Sequence, residues 1–142
     1  ASVAAYNILP VISDPNWQVV GVADFNRDGR PELLWRHRLS GETLYWILDA
    51  AGRNAIGSVS LPTVDSGWQI QAVGSFTGDG STDLLWRNPS SGENAYWSVN
   101  GSQVQGGFLP NAPGSEWRIQ GCADFNGDGK ADILWRNVNT GE

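Results

Sequence analysis

The feature that most constrains the fold is a short motif that occurs three times, at residues 23–37, 74–88 and 123–137. The third copy reads ADFNGDGKADILWRN. Each copy joins the end of one apolar segment to the start of another through a loop that is rich in side-chain oxygens and bends at a glycine. Two apolar segments separated by such a loop are typical of a β-hairpin. The three copies therefore predict three hairpins of the same design.

The positions of the tryptophans extend the repeat beyond these loops. All eight tryptophans fall on three positions of a unit of ~50 residues. The first position holds Trp17, Trp68 and Trp117, the second holds Trp35, Trp86 and Trp135, and the third holds Trp46 and Trp97. A tryptophan that served one unique pocket would not keep this register. We therefore expect most of them to pack in the core or between units.

Each complete unit is predicted to contain four strands. In the first unit they span residues 17–25, 32–38, 43–48 and 55–61, with turn residues between them. Four short antiparallel strands per ~50 residues predict an all-β fold made of β-propeller blades. A β-sandwich is the alternative, but sandwich strands seldom repeat in sequence with this fidelity.

The same repeat predicts how the chain is divided. Residues 1–16 are the last strand of a blade, 17–67 and 68–116 are full blades, and 117–142 are the first half of a blade. Propellers typically need about 4–8 blades to close a ring, so two full blades and two partial ones leave it open. Open blade faces and strand edges invite association. We therefore expect self-association, or the remainder of a longer propeller, to close the ring.

Much of the acidity of the chain is concentrated in the three loops. The net charge is −6, and eight of the fifteen acidic residues lie there, which leaves seven acids against the nine lysines and arginines of the whole chain. No basic stripe is present, which argues against nucleic acid as a partner. No apolar run approaches the ~18 residues of a membrane span, and no leader is seen, so any signal peptide is expected to be removed or to lie outside this sequence. The single cysteine, Cys122, excludes an intrachain disulfide and is expected to be a small buried hydrophobe.

The first and third loops place an oxygen ligand on every second residue around a glycine, which suits Ca²⁺ with its about six to eight oxygen ligands. Three carboxylates that converge without a cation would repel one another. An EF-hand is excluded because tryptophan holds the position of its essential glutamate, and a turn rich in Asp and Asn without metal is the alternative. The predicted ligands are Asp24, Asn26, Asp28, the carbonyl of Arg30 and Glu32 in the first loop, and Asp124, Asn126, Asp128, the carbonyl of Lys130 and Asp132 in the third.

The second loop is a weaker candidate. Ser75 and Thr77 replace the first acid and the asparagine, so the candidate ligands are Asp79, Asp83, the hydroxyls of Ser75 and Thr77 and the carbonyl of Ser81. Two formal charges instead of three lower the calcium affinity that we expect. Hydrogen bonds from the hydroxyl groups are an equally good way to hold this loop without metal.

The motif DFNGDGKADILW resembles the FG-GAP and VCBS-type repeats of integrin-like β-propellers, and the resemblance runs over the whole chain as partial, full, full and partial repeats. In that family the calcium loop joins the first two strands of a blade. The resemblance implies the same ligands as above, and it implies a secreted, extracellular protein. Ser75 and Thr77 depart from the pattern, and Glu32 departs from it mildly. The functions that the resemblance implies are mixed: adhesion modules, lectin-like proteins and accessory domains of secreted enzymes.

An enzyme is the class that the sequence supports least. The only histidine, His37, occupies the position that Asn88 and Asn137 hold in the other units, so we expect it to be a surface strand residue. Without it no Ser–His–Asp set can be built, and the loops account for the acidic residues. The predicted function is a non-enzymatic, calcium-stabilised scaffold for protein interaction or adhesion.

A lectin-like, carbohydrate-binding module is the alternative function. Sugar binding would use aromatic faces and fixed hydrogen-bond groups in clefts between blades, and repeated shallow sites would gain from avidity. The candidate ligand-binding residues are Trp35, Arg36, Tyr45, Trp46, Trp86, Arg87, Tyr96, Trp97, Trp135 and Arg136. The interpretation that we favour is that the arginines join neighbouring blades, through hydrogen bonds to carbonyls or to Glu42 and Glu93.

Overall fold

The computed structural model describes residues 12–111 and 114–142, and these residues form ten β-strands and no helix. All strand pairs are antiparallel, so the prediction of an all-β fold is confirmed. No helix that could cross a membrane is found in this part of the chain. The strand predicted within residues 1–16 falls on residues 1–9, which lie outside the described residues.

The strands form three sheets that follow one another along the chain. The first sheet contains β1 (Trp17–Ala23), β2 (Glu32–His37), β3 (Thr43–Leu48) and β4 (Ala55–Leu61), in that order. The second contains β5 (Gln69–Gly74), β6 (Thr82–Arg87), β7 (Asn94–Asn100) and β8 (Gln103–Leu109), and the third contains β9 (Trp117–Ala123) and β10 (Asp132–Asn137). The strands start where predicted, but β1 ends at Ala23 and not at residue 25, because the acidic loop begins at the next residue.

The repeat in the sequence is therefore a repeat of whole sheets. The first hairpin of each sheet carries an irregularity at the same place, opposite Trp35, Trp86 and Trp135 or the leucine that precedes each of them. A bulge of this kind increases the local twist of a hairpin. The first strands of neighbouring sheets contact each other, β1 with β5 and β5 with β9. Closure of these sheets into a propeller, and the predicted blade boundaries, stay predictions.

The best-packed part of the core involves the first two sheets. Leu34 of β2 and Tyr45 of β3 are cross-strand partners, and both side chains are fully buried. They pack in one cluster with Leu84, Trp86 and Val99 of the second sheet. Full burial of one large apolar side chain contributes about 1.5–3 kcal/mol, so each sheet depends on its neighbour for much of its stability.

Glycine is required at two places where backbone segments approach closely. Gly41, in the turn between β2 and β3, has a φ of 77°, and a Cβ atom there would lie 1.8 Å from the carbonyl oxygen of Val64. At Gly21 of β1 a Cβ atom would lie 2.6 Å from Cγ2 of Val73 in β5. These two glycines let the second sheet and the connection that leads to it pack directly against the first sheet.

Candidate metal centre

The first acidic loop connects β1 to β2 and brings three carboxylates together. Asp24 is the first loop residue and Glu32 is the first residue of β2. Asp24, Asp28 and Glu32 each offer an oxygen that lies within 4.8 Å of the other two. The loop reverses at Gly29, whose φ of 86° lies in the region that glycine adopts readily. This arrangement of three carboxylates could hold a metal ion.

Backbone N–H groups hold the first loop in this shape. The Asp24 carboxylate accepts hydrogen bonds from the N–H groups of Asp28, at 3.1 Å, and Gly29, at 2.9 Å. The Asn26 side-chain oxygen accepts from the Asp28 N–H at 2.9 Å, and the Asp28 carboxylate accepts from the Arg30 N–H at 2.9 Å. Each carboxylate oxygen has a second lone pair. The predicted ligand residues of this loop are thus preorganised and keep acceptor capacity.

Glu32 is the buried member of the group. Its side chain is 1% exposed, and its Oε2 accepts the N–H of Phe25 at 2.7 Å. Burial raises the pKa of this carboxyl, the two backbone N–H groups act in the opposite direction, and the charges of Asp28 and Asp24 raise the pKa further. Among the described residues no lysine or arginine forms an ion pair with Glu32. A cation would therefore supply the positive charge that the site lacks.

The third loop repeats the hydrogen bonds of the first. The Asp124 carboxylate accepts from the N–H groups of Gly127, at 2.7 Å, and Gly129, at 2.8 Å. The bond from Gly129 is the main cause that holds the pKa of Asp124 below its usual range. Asp132 accepts the N–H of Phe125 at 3.0 Å, as Glu32 does in the first loop.

The acids of the third loop lie farther apart than those of the first. Asp124, Asp128 and Asp132 do not all come within 4.8 Å of one another, and in the described ranges only the acids of the first loop do so. Asp132 is one methylene shorter than its counterpart in the first loop. The Lys130 N–H donates to Asp128 at 2.9 Å, so the loop keeps the shape that the motif predicts. The donor set is the same, but it is more open.

The second loop is held by hydroxyl groups. Asp83 is fully buried and accepts the N–H groups of Phe76, at 2.7 Å, and Thr77, at 2.8 Å, together with the Thr77 hydroxyl at 3.0 Å. The Ser81 hydroxyl contacts both Asp79 and Asp83. Hydrogen bonds to Asp79, first that of the Ser81 hydroxyl and then that of the Ser81 N–H, lower the pKa of Asp79 to about 2. The alternative in which hydrogen bonds hold this loop without metal is therefore supported, because both aspartates have hydrogen-bond partners.

Sequence reasoning did not find one member of this network, Ser98 of β7. Its hydroxyl contacts the Ser81 hydroxyl and donates to Asp79 at 3.2 Å. In the first unit the same position is Ile47. The exchange of an apolar strand residue for serine beside the weaker loop was the signal that could have identified it. The Ser75 carbonyl has a different partner, the N–H of Ala131 at 2.8 Å, in the third loop.

Two of the three arginines proposed as ligand contacts, Arg36 and Arg87, make hydrogen bonds within the protein. Arg36 is 6% exposed, and its guanidinium donates to the carbonyls of Gly41 at 2.8 Å, Asp65 at 2.9 Å and Trp68 at 2.8 Å. It also lies over the ring of Trp86, 4.8 Å from the centroid. The interpretation that arginines join neighbouring units through carbonyls describes this geometry well.

Arg87 repeats this pattern one unit later. It donates to the Asn94 side chain at 2.9 Å and to the Trp117 carbonyl at 3.3 Å, and it lies 4.9 Å from the ring centroid of Trp135. Arg136, at the same position of the third sheet, is exposed. The two glutamates considered as partners have other contacts, because Glu42 and Glu93 accept hydrogen bonds from Ser40 and Ser91 at 2.8 Å.

The remaining aromatic candidates form pairs and one shallow cleft. Trp35 packs against Trp46 with ring centroids 4.8 Å apart, and Trp86 packs against Trp97 at 4.9 Å. A cleft of about 220 Å³ is lined by Val64, Trp68, Trp86, Ala95, Trp97 and Phe108. Phe108 is 74% exposed. Tyr96 borders a neighbouring hollow on the same sheet, whereas Tyr45 is fully buried and so faces no ligand directly.

Both ring nitrogens of His37 are hydrogen-bonded to neighbouring residues. Its Nδ1 accepts the backbone N–H of Ser40 at 3.0 Å, so Nε2 carries the proton and donates to Asp14 at 2.9 Å. Both nitrogens are therefore engaged in holding the ends of the first hairpin together. Trp17 packs edge-on against the same ring, with centroids 5.1 Å apart.

A family model described as an FG-GAP-like repeat matches residues 76–135. This segment contains most of the second loop, the strands β6 to β9, the third loop and the start of β10. Comparisons with curated proteins and with solved structures give no match. Over residues 76–135 the chain is thus similar to the FG-GAP-like repeat family, which confirms the resemblance to FG-GAP repeats in that segment.

Proposed function

We propose that the chain is a non-enzymatic, calcium-stabilised module of propeller blades from a secreted protein, and that it acts as a scaffold for interaction or adhesion. One observation carries this proposal: the oxygens of Asp24, Asp28 and Glu32 lie within 4.8 Å of one another, and no basic side chain is paired with them in the described residues. The similarity of residues 76–135 to the FG-GAP-like repeat supports it.

The residues that would hold calcium in the first loop are Asp24, Asn26, Asp28 and Glu32, with the carbonyl of Arg30. All of them offer oxygen, which a hard cation such as Ca²⁺ prefers. When bound, the ion would neutralise carboxylates that otherwise repel one another and would tie the start of β2 to the end of β1. Its role would be structural, because the ion would take up the carboxylates of the loop as ligands and tie two strands together.

The third loop would hold a second calcium ion with Asp124, Asn126, Asp128, the carbonyl of Lys130 and Asp132. Its wider spacing favours weaker binding than in the first loop. Millimolar calcium outside the cell would fill sites of this kind, and this is the reason to place the module in a secreted protein. The second loop, with two acids and a hydroxyl network, is expected to bind calcium most weakly or not at all.

Isothermal titration calorimetry with calcium tests the assignment. We expect two binding events in the unmodified chain, and we expect Asp28→Asn to abolish the tighter one because it removes one of the three converging charges. Asp79→Asn in the second loop should leave both events in place. Asp49→Asn is the matched control, since Asp49 caps a turn outside the acidic loops, accepting the Arg53 N–H at 2.8 Å. Absence of binding at millimolar calcium would exclude calcium as the stabilising ion.

A carbohydrate-binding function remains the second candidate because of the aromatic cleft between the second sheet and the connection that precedes it. Trp68, Trp97 and Phe108 present ring surface there, and aromatic faces can pack on the apolar faces of sugars. A glycan array with the unmodified chain and with Phe108→Ala tests this candidate. Leu39→Ala is a suitable control, because Leu39 is 64% exposed in a turn outside the cleft. No binding to any glycan in calcium would rule it out.

A further inference from the structure

The two junctions between neighbouring sheets are built in the same way. We call the face of a sheet that carries Arg36 or Arg87 its outgoing face, and the face that carries the adjacent tryptophan its incoming face, since successive strand residues point to opposite sides. At the first junction Arg36 lies over Trp86, and at the second Arg87 lies over Trp135, at centroid distances of 4.8 and 4.9 Å. A cation over an indole face is favourable, more so when it is shielded from water.

Each junction also has close contacts away from the arginine. Gly21 on the outgoing side of the first sheet meets Val73, and Gly78 on the outgoing side of the second meets the Lys130 side chain. Hydrogen bonds to loop carbonyls also cross each junction. In the first junction the Thr82 hydroxyl donates to the Asp24 carbonyl at 2.8 Å and the Gly101 N–H donates to the Phe25 carbonyl at 3.0 Å. In the second junction the Ala131 N–H donates to the Ser75 carbonyl at 2.8 Å.

The third sheet presents an outgoing face that nothing covers in the described part of the chain. Leu134 is 49% exposed and Phe125 is 60% exposed, whereas the corresponding Leu34 and Phe25 of the first sheet are fully buried. Apart from Gly121 and its two chain neighbours, no atom of the described residues lies within 4 Å of the position that a Cβ on Gly121 would take. The residues that form a junction in the first two sheets are therefore present here without a partner sheet.

The first sheet presents the complementary incoming face. Val22 is 57% exposed, whereas Val73 at the same position of the second sheet packs on Gly21. Trp35 occupies the position at which Trp86 and Trp135 each receive an arginine. One molecule thus carries both halves of a junction that it already forms twice.

We propose that a second copy of this chain docks head to tail, with the outgoing face of the third sheet of one copy on the incoming face of the first sheet of the other. The docking continues an interface that is already established within the chain. In this junction Arg136 lies over Trp35 of the second copy, and Val22 of the second copy packs on Gly121. The junction buries Leu134 as its counterparts are buried.

Charge supports the choice of this occupant. Lys130 lies along the second loop at Gly78, and the equivalent residue of the incoming face is Arg30. In the docked pair Arg30 lies along the third loop, whose three aspartates are negatively charged. One contact is missing, because Pro31 holds the position from which Ala131 donates its N–H across the second junction and proline has no N–H to donate. The new junction is therefore weaker than the internal ones, and association is reversible.

The two faces differ, so the interface is heterologous and either closes a ring or continues as a chain of copies. Each copy contributes two four-stranded sheets and one two-stranded sheet, so two copies contribute four complete blades and two partial ones. The total falls within the about 4–8 sheets with which propeller rings close. A ring of two copies is the smallest assembly that satisfies both faces of every molecule.

Sedimentation equilibrium and light scattering of the 142-residue chain test the proposal, over a range of concentrations in calcium. We expect an assembly of twice the monomer mass. Leu134→Asp on the outgoing face and Val22→Asp on the incoming face should each weaken association by about a hundredfold or more, because a carboxylate would be buried without a partner. Val22 and Leu134 are about half exposed in the single chain, so neither substitution should disturb its fold. The circular dichroism spectra of both variants should therefore match that of the unmodified chain.

A mixture of the two variants gives the sharper result. Leu134→Asp keeps its incoming face and Val22→Asp keeps its outgoing face, so an equimolar mixture should form a dimer with one intact junction. Leu39→Asp, on a turn away from both faces, should associate like the unmodified chain. An unmodified chain that stays monomeric at high concentration would overturn the proposal and would indicate another occupant, such as a further repeat on a longer polypeptide. A mixture that stays monomeric would overturn the head-to-tail arrangement.

Discussion

At the scale of single residues, the first loop depends on one buried carboxylate. Glu32 is 1% exposed and lies beside two further acids, while its Oε2 accepts the Phe25 N–H. The backbone bond favours the ionised form, whereas burial and the neighbouring charges disfavour it. A cation reverses this balance, because it interacts with the ionised form alone.

Glu32→Gln is therefore predicted to have opposite effects with and without calcium. The amide oxygen can still accept the Phe25 N–H, so in chelator the variant should be as stable as the unmodified chain or more stable, since a buried charge is removed. In calcium it should lose most of the stabilisation that the ion supplies, about 2–3 kcal/mol when free calcium is about a hundred times Kd. Urea unfolding in both buffers measures this.

Glu42→Gln is the control, because it removes the same charge from an exposed turn outside the acidic loops. In the described residues the Glu42 carboxylate accepts a hydrogen bond from the Ser40 hydroxyl. We expect Glu42→Gln to have the same small effect in both buffers. If Glu32→Gln also lost equal stability in both buffers, its carboxylate would serve the backbone bonds alone and would not be a calcium ligand.

At the scale of structural elements, the three hairpins reach one shape by two chemistries. The first and third loops use carboxylates around a glycine bend, and the second uses hydroxyl groups that satisfy its two aspartates. In the second hairpin Ser98 reaches across from β7 and bonds to Ser81 and Asp79. In the second sheet the third strand is thus hydrogen-bonded to the loop of the first hairpin. In the described ranges no side chain of a third strand forms such a bond to the first or the third loop.

Ser98→Ala is predicted to destabilise the chain by about 1 kcal/mol, because the Asp79 carboxylate loses one donor in a partly buried network. The loss should be the same in calcium and in chelator. Ser102→Ala, in the turn that follows β7, is the matched control and should change the free energy of unfolding by less than about 0.5 kcal/mol. A loss confined to calcium buffer would mean that the second loop also binds the ion and that Ser98 supports it.

The strands could be predicted from the sequence because their signals are local. Alternation within β2 and β3, and glycine turns such as Gly41, are readable within a few residues. The partners of Arg36 could not be settled in the same way, because two of them, Asp65 and Trp68, lie about thirty residues farther along the chain. The two glutamates were equally plausible by charge, but neighbouring serines engage them. Ser98 was missed for the same reason, as its partners lie across the sheet.

At the scale of the whole molecule, stability comes from sheets that each bury one face against the next. The loops lie at one end of the first hairpins, and the arginines lie near the opposite ends, beside the connections between units. Calcium at one end and guanidinium groups at the other would thus hold the stack of sheets at two separate places. The two contributions should be separable by experiment.

Removal of calcium is predicted to lower the melting temperature without unfolding the chain at room temperature. Binding to the folded state contributes about 2.7 kcal/mol when free calcium is about a hundred times Kd, and for a chain of this size each kcal/mol shifts the melting temperature by about 2–4 °C. A decrease of about 5–10 °C is expected in chelator by differential scanning calorimetry. Magnesium at equal ionic strength is the control and should not restore the melting temperature. An unchanged melt would contradict a structural role for the ion.

Replacement of Arg36 is predicted to destabilise the whole chain, whereas replacement of Arg87 is predicted to destabilise mainly the third sheet. Arg36 donates to both the first turn and the connection to the second sheet, and lysine cannot make this planar set of bonds. Arg36→Lys should therefore lower the free energy of unfolding of the whole chain by about 2–4 kcal/mol. Arg87 holds the two-stranded third sheet by longer bonds, so Arg87→Lys should mainly speed amide hydrogen exchange in β9 and β10.

Arg53→Lys provides the control for both variants, since Arg53 lies in an exposed turn and only its backbone N–H is hydrogen-bonded, to Asp49. The order of effects follows from topology. The first junction lies between two complete sheets that share the buried core, whereas the second holds a two-stranded sheet whose opposite face leaves Leu134 and Phe125 exposed. Uniform acceleration of exchange in all ten strands on Arg87→Lys would show that the three sheets unfold as one unit and that the second junction is as strong as the first.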